Sequence, residues 1–168
     1  FYCLDVDLSE LKRAQERLRL AATVFEHAHE GIMIADATGT IIEVNKAFVE
    51  ITGYSRAEAV GRNPSFLKSG RHDAAFYAQM WQTLAERGYW HGEIWNQRKS
   101  GEIYPENVSI SAVHDADGAI TYYVGLFADI TTLKENQQRL EQMAYYDSLT
   151  RLPKRALLAD RLRYALAQ

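Results

Sequence analysis

The sequence predicts an α+β fold: a five-stranded antiparallel sheet with short helices on one face and a longer helix at each end. Three observations carry this. Strand-like segments come first as a pair, Gly31–Asp36 and Ile41–Asn45, and then as a trio, Tyr89–Arg98, Glu102–His114 and Ala119–Ala128. Helical patterning fills the interval between pair and trio, and an order of ββ, helices, βββ closes as one sheet with its helices segregated to one side. Amphipathic stripes flank the whole, over residues 8–29 and 130–146.

The pair is joined by Ala37-Thr38-Gly39-Thr40, a hairpin turn. A helical strap, Asn45 to Phe66, follows it. Ser55 and Glu58 stand at capping-box spacing, and Gly61 supplies the left-handed exit of that short helix. From His72 to Arg87 an amphipathic helix sets Phe76, Met80, Trp81 and Leu84 on one side. His72 opens this helix and is expected to point outward, with Asp73 in the first turn. The trio is divided by Lys99-Ser100-Gly101 and Asp115-Ala116-Asp117-Gly118, both turn-rich. Alternation along Glu102–His114 turns Tyr104, Val108, Ile110 and Ala112 to the core, and Trp90, Gly92 and Ile94 share a core-facing side with Asn96. Asn96 and Glu106 thus fall on faces that must give them partners, from the backbone or from a ligand.

At 168 residues the chain is one domain with appendages, and 47% hydrophobic residues suffice for one core. A net charge of −3 offers no footprint for nucleic acid or an anionic membrane. Cys3 alone excludes an internal disulfide and fits a reducing, cytoplasmic setting. No apolar run reaches the roughly 20 residues of a membrane span. The first residue is Phe1 rather than Met, so the chain reads as an excised piece whose parent could be anchored upstream.

The two flanking helices repeat one pattern. Asp7, Leu8, Ser9, Leu11, Lys12, Gln15, Arg17 and Leu18 return at fixed spacing as Asp129, Ile130, Thr131, Leu133, Lys134, Gln137, Arg139 and Leu140. Tandem copies of one module, each ending in a strand, an Asp-capped start and a helix, account for this. Residues 1–7 are then the last strand of a preceding copy, and 8–29 connects it to the next. Leu8, Leu11, Gln15, Leu18, Ala22 and Phe25 form either a face packed on the chain's own domain or a dimer seam; the recurrence favours the seam. Gln15 and Gln137 at matching seam positions weaken each coil, which suits a switch.

With strap, sheet and Asp-Ile-Thr exit in place, residues 24–131 resemble a PAS domain, through GIMIAD, IIEVN, NKAF, ITGYSRAEAVGRN, WHGEIWNQRKSGEIY and YYVGLFADIT. YYDSLTRLPKRALLADRLRYAL (Tyr145–Leu166) is similar to the opening of a GGDEF domain, here with Arg151 and Lys154 where Gly and Asn are usual; residues 147–168 would be its truncated start. The resemblance implies a sensory and relay module in bacterial cyclic-di-GMP signalling. Without the GGDEF signature this piece is expected to be no enzyme, and it holds no catalytic residues or metal ligands. Gly61 to Lys68 is similar to the flavin-adduct motif of light-oxygen-voltage PAS domains, with Pro64 at the position of the reactive cysteine. The covalent photocycle is thereby excluded.

The strand WHGEIWNQRK resembles that of flavin-binding redox PAS sensors, which implies Trp90 near a cofactor and Asn96 on its ring edge; the strap adds Asn63 and Phe66 as pocket residues, and the strand alternation adds Glu106. An empty pocket is the first expectation, noncovalent FAD or FMN the alternative, and haem on His72 the last. Other small-molecule ligands stay open. The output is expected to leave through Asp7, Leu11, Leu18, Asp129, Thr131, Leu133 and Leu140, in a homodimer formed by the flanking helices, with no direct membrane contact.

Overall fold

The structure, a computed structural model, describes residues 5–145, with side chains from 10 to 143. It divides into two units, one ending at Asp129 and one beginning at Ile130.

In the first unit, helix α1 (Asp5–His27) leads into strands β1 (Gly31–Asp36) and β2 (Ile41–Val44). Short helices α2 (Lys46–Thr52) and α3 (Arg56–Ala59), a 3-10 turn over Pro64–Leu67 and helix α4 (Ala74–Arg87) follow. Strands β3 (Tyr89–Gln97), β4 (Ile103–His114) and β5 (Ile120–Asp129) complete it. All neighbours are antiparallel, in the order β2-β1-β5-β4-β3. The α+β expectation holds, with strand ends within a residue or two of those read from the sequence. The second unit is described by helix α5 (Thr131–Tyr145). Among the described residues no helix is long and apolar enough to cross a membrane.

Local chemistry explains the turns. Asp36 Oδ1 accepts from the backbone N–H groups of Thr38 (2.8 Å) and Thr40 (3.0 Å) and from the Thr38 hydroxyl, closing the β1–β2 hairpin around Gly39 at φ 81°. These bonds, the Thr38 hydroxyl first, hold its carboxyl below the usual range. In the strap, the Glu58 carboxylate accepts from the Ser55 N–H and hydroxyl and meets Lys99. Gly61 has the expected positive φ, and its N–H reaches Ile41 O at 2.8 Å.

The core lies between the strap, α4 and the inner face of the sheet. Ile41, Val44, Phe48, Ala59, Leu67, Met80, Ile94, Val108 and Phe127 form it, with Phe48 edge-on to Phe127 at 5.7 Å. Met80 and Leu84 of α4 are buried, but Trp81 is 43% exposed with its ring edge-on to Tyr123.

Two sequence expectations change. Residues 5–7 are the first turn of α1 rather than strand: a strand needs a neighbour to satisfy its backbone, whereas a helix satisfies its own. The rest of the proposed preceding strand, residues 1–4, and the GGDEF-like 147–168 lie outside the described residues. His72 does not point outward. Its ring stacks on Phe76 (centroids 4.0 Å apart) and its Nε2 accepts from the Trp95 N–H at 3.0 Å, while Asp73 caps α4 through Phe76 N.

Asn45 joins the pieces. Its side chain is buried, and all four of its hydrogen-bonding positions are used. Oδ1 accepts from Ile32 N (2.8 Å) and Phe48 N (2.9 Å), and Nδ2 donates to Phe25 O (3.1 Å) and Glu30 O (2.9 Å). One amide therefore caps α2, binds β1 and ties down the end of α1. Replacing Asn45 by Ala strands two N–H groups and two carbonyls and is expected to lower the unfolding free energy by about 3 kcal/mol. Chemical denaturation measures this; a loss below about 1 kcal/mol would show that the junction is held by something else.

Candidate functional site

A cavity of about 480 Å³ opens between the strap and the inner face of the sheet. Its walls are largely apolar: Met33, Ala35, Leu67, Met80, Ile94, Val108, Ile110 and Phe127, with Gly125 as floor. Asn63, Ser65 and Lys68, all exposed, stand at the mouth with Thr38 and Gly39. Asn63 Nδ2 donates to Gly39 O at 3.2 Å, and its Oδ1 caps the 3-10 turn through Ser65 N, so one amide links strap and hairpin across the rim. Pro64, first residue of that turn, faces the cavity.

Two buried polar groups interrupt the apolar wall. Asn96 Nδ2 donates to Glu106 Oε1 at 2.6 Å, and the Tyr104 hydroxyl donates to Glu106 Oε2 at 2.9 Å. Glu106 is 4% exposed and Asn96 8%, as the alternation required. Burial pushes the Glu106 carboxyl up to about 7, against the opposing pull of the Tyr104 and Asn96 hydrogen bonds. Burial likewise raises the Tyr104 hydroxyl. Arg98 lies over the Tyr104 ring, 3.9 Å from its centroid, and bonds to Ile51 O, Glu102 and Asp129.

Of the five pocket residues expected from the sequence, the structure brings Asn63, Asn96 and Glu106 to the cavity. Phe66 and Trp90 are elsewhere. Phe66 packs edge-on against Tyr54 at 4.8 Å with the Arg62 guanidinium above it. The Trp90 indole lies back over Gly92, where a Cβ would come within 2.6 Å of it, and meets the Phe76 edge. Face alternation puts Trp90 on the correct side but not at the correct end of β3. Tyr77 and Lys68 were missed. Tyr77 lines the cavity, and the Lys68 ammonium sits 3.7 Å from its ring centroid. A signal for Tyr77 exists: with Met80 and Leu84 it makes an i, i+3, i+7 stripe.

The residues expected to carry output divide the same way. The Asp7 side chain is outside the described set. Leu11 and Leu18 are 65% and 72% exposed on α1, whereas Phe25 at the end of the same stripe is half-buried. Leu133 and Leu140 on α5 are 64% and 67% exposed. Asp129 ends β5 paired with Arg98, and Thr131 opens α5.

The sequence profile of the PAS domain matches residues 29–132. A nitrogen fixation regulatory protein of Klebsiella oxytoca is 36% identical over 126 residues, 75% of this chain and 26% of that protein. A blue-light-activated histidine kinase of Rhizobium johnstonii is 32% identical over 155 residues, covering 82% and 45%. Among solved structures, an RNA-binding light-oxygen-voltage receptor superposes with TM-score 0.66 at 30% identity, covering 74% of this chain and 36% of that one. The chain thus spans between about a quarter and a half of the curated relatives named here. The five-stranded antiparallel sheet, its one-sided helical strap and the matched profile together make this chain a member of the PAS domain family.

Proposed function

We propose that this PAS module senses through its cavity by binding the ring system of a flavin, FMN or FAD, without a covalent bond, and relays the result through its flanking helices. One observation carries the ligand reading: a mostly apolar slot of about 480 Å³ with the Asn96–Glu106 pair set into one wall. This volume falls within the about 300–1,000 Å³ of ligand pockets, and a flat heterocycle needs apolar walls and a few convergent polar groups. The Asn96 amide lines the cavity, in place to meet a ring-edge N–H. Light-oxygen-voltage and blue-light receptors among the relatives support the same reading. A bound flavin would supply redox and light-absorbing chemistry. The chain would hold it between Ile94, Leu67 and Val108, orient it through Asn96, and carry no catalytic group of its own. Pro64 at the cavity wall offers no thiol, so the interaction stays noncovalent. His72, engaged with Trp95 N and Phe76, is not disposed to hold haem.

The relay reading rests on the exposed leucines at seven-residue spacing, Leu11 and Leu18 on α1 and Leu133 and Leu140 on α5. Paired between two copies in the cytoplasm, they form the dimer seam through which a change in the module alters an output domain. A GGDEF output, read from Tyr145–Leu166, is the finer part of the proposal, and cyclic-di-GMP synthesis by the longer protein tests it.

Purified protein supplemented with FMN or FAD is expected to show a flavin band near about 450 nm, and Asn96→Leu to weaken flavin affinity about tenfold. No retained band in supplemented material overturns the ligand reading. Light scattering at high protein concentration is expected to give a dimer, and the pair Leu18→Glu with Leu140→Glu a monomer. A wild-type monomer overturns the seam.

A further inference from the structure

The polar wall of the cavity does not end at Glu106. Glu106 and Asp129 are direct cross-strand partners on β4 and β5, so two carboxylates share the inner face at adjacent positions. A side-chain route joins them as well. The Tyr104 hydroxyl donates to Glu106 Oε2 at 2.9 Å, the Arg98 guanidinium lies on the Tyr104 ring at 3.9 Å, and the same guanidinium bonds to Asp129. Asp129 is the last residue of β5, two positions before α5 begins.

We propose that Glu106 is a proton-binding site, and that gain or loss of its proton is read at Asp129 through Tyr104 and Arg98. Ionised, Glu106 accepts from both Asn96 and Tyr104 and adds a second negative charge beside Asp129, so that the Arg98 charge is divided between them. Protonated, it leaves Arg98 to Asp129 and Glu102. The strength of the ion pair at the end of β5 therefore differs between the two states, which is the differential interaction that a proton-driven shift requires. The groups facing Glu106 are Tyr104 on its own strand, Asn96 and Arg98 from β3, Asp129 from β5 and Tyr77 from α4, with Lys68 over the Tyr77 ring. Burial is the main cause of the raised Glu106 carboxyl; Asp129 raises it further and Arg98 lowers it. Because the folded state holds this proton to about pH 7, its contribution to stability is full below about pH 4.5 and lost as pH rises through about 7.

The proposal concerns the same cavity as the flavin reading but does not need a flavin, and is tested with none added. In 13C-carboxyl NMR of the whole chain, Glu106 is expected to titrate near pH 7, and the Asp129 resonance to move with the same inflection. Asp129→Asn should lower the Glu106 midpoint by about one pH unit by removing a like charge and releasing Arg98. Tyr104→Phe should raise it by removing a donor to the charged form, and Glu106→Gln should abolish the inflection at Asp129. Titration of Glu106 as an ordinary carboxylate overturns the site. An Asp129 resonance that shows no inflection where Glu106 titrates in the wild-type chain overturns the relay, and needs no variant to be seen.

Discussion

The domain depends on a single primary amide. Asn45 closes the start of α2, the first strand and the end of α1 at one buried point, with no position on the amide left over. Neither an aspartate nor a leucine of similar size could do so, because the site needs two donors and two acceptors side by side. Since α2 begins the strap, and the strap roofs the cavity, the start of that roof is set by this junction. The helix that ends at the same junction, α1, carries Leu11 and Leu18 exposed among the described residues. Asn45 thus fixes the last turn of α1 while these two leucines further up the helix stay exposed.

The cavity sets two requirements against each other. A close-packed core would fill this space and stabilise the fold, yet here the wall carries a carboxyl whose ionisation burial opposes. Two donors reduce that penalty without removing it, so burial still holds the carboxyl above the ordinary carboxylate range. A well-packed apolar residue at position 106 would favour the fold and silence the wall. A buried carboxyl inside an otherwise apolar slot is the pattern expected where a site must respond to something.

Much of the fold was legible because its signals are local. The hairpin is encoded by Asp36, Thr38 and Gly39 within five residues, and the alternation in β4 assigns Tyr104, Glu106 and Val108 to the core without reference to any other segment. What could not be read needs contacts distant in sequence. Arg98 stands at a turn in the sequence and gives no sign that its guanidinium reaches Ile51 and Asp129, 47 and 31 residues away. Trp90 and Asn96 share one face of β3, but whether that face meets a cavity or a packed aromatic depends on where α4 crosses it. His72 was misjudged for the same reason: its partner, the Trp95 N–H, belongs to an edge strand that the helix start happens to meet.

The position of β5 in the middle of the sheet limits how this strand itself can move. It is paired on one side with β1 and on the other with β4, and Tyr123, Gly125 and Phe127 meet the cavity from alternate positions along it. A slip by one residue would turn Phe127 outward and bring Leu126 in, breaking both ladders at once. Sliding is therefore closed to this strand. The two ladders fix the register at which Tyr123, Gly125 and Phe127 present themselves to the cavity.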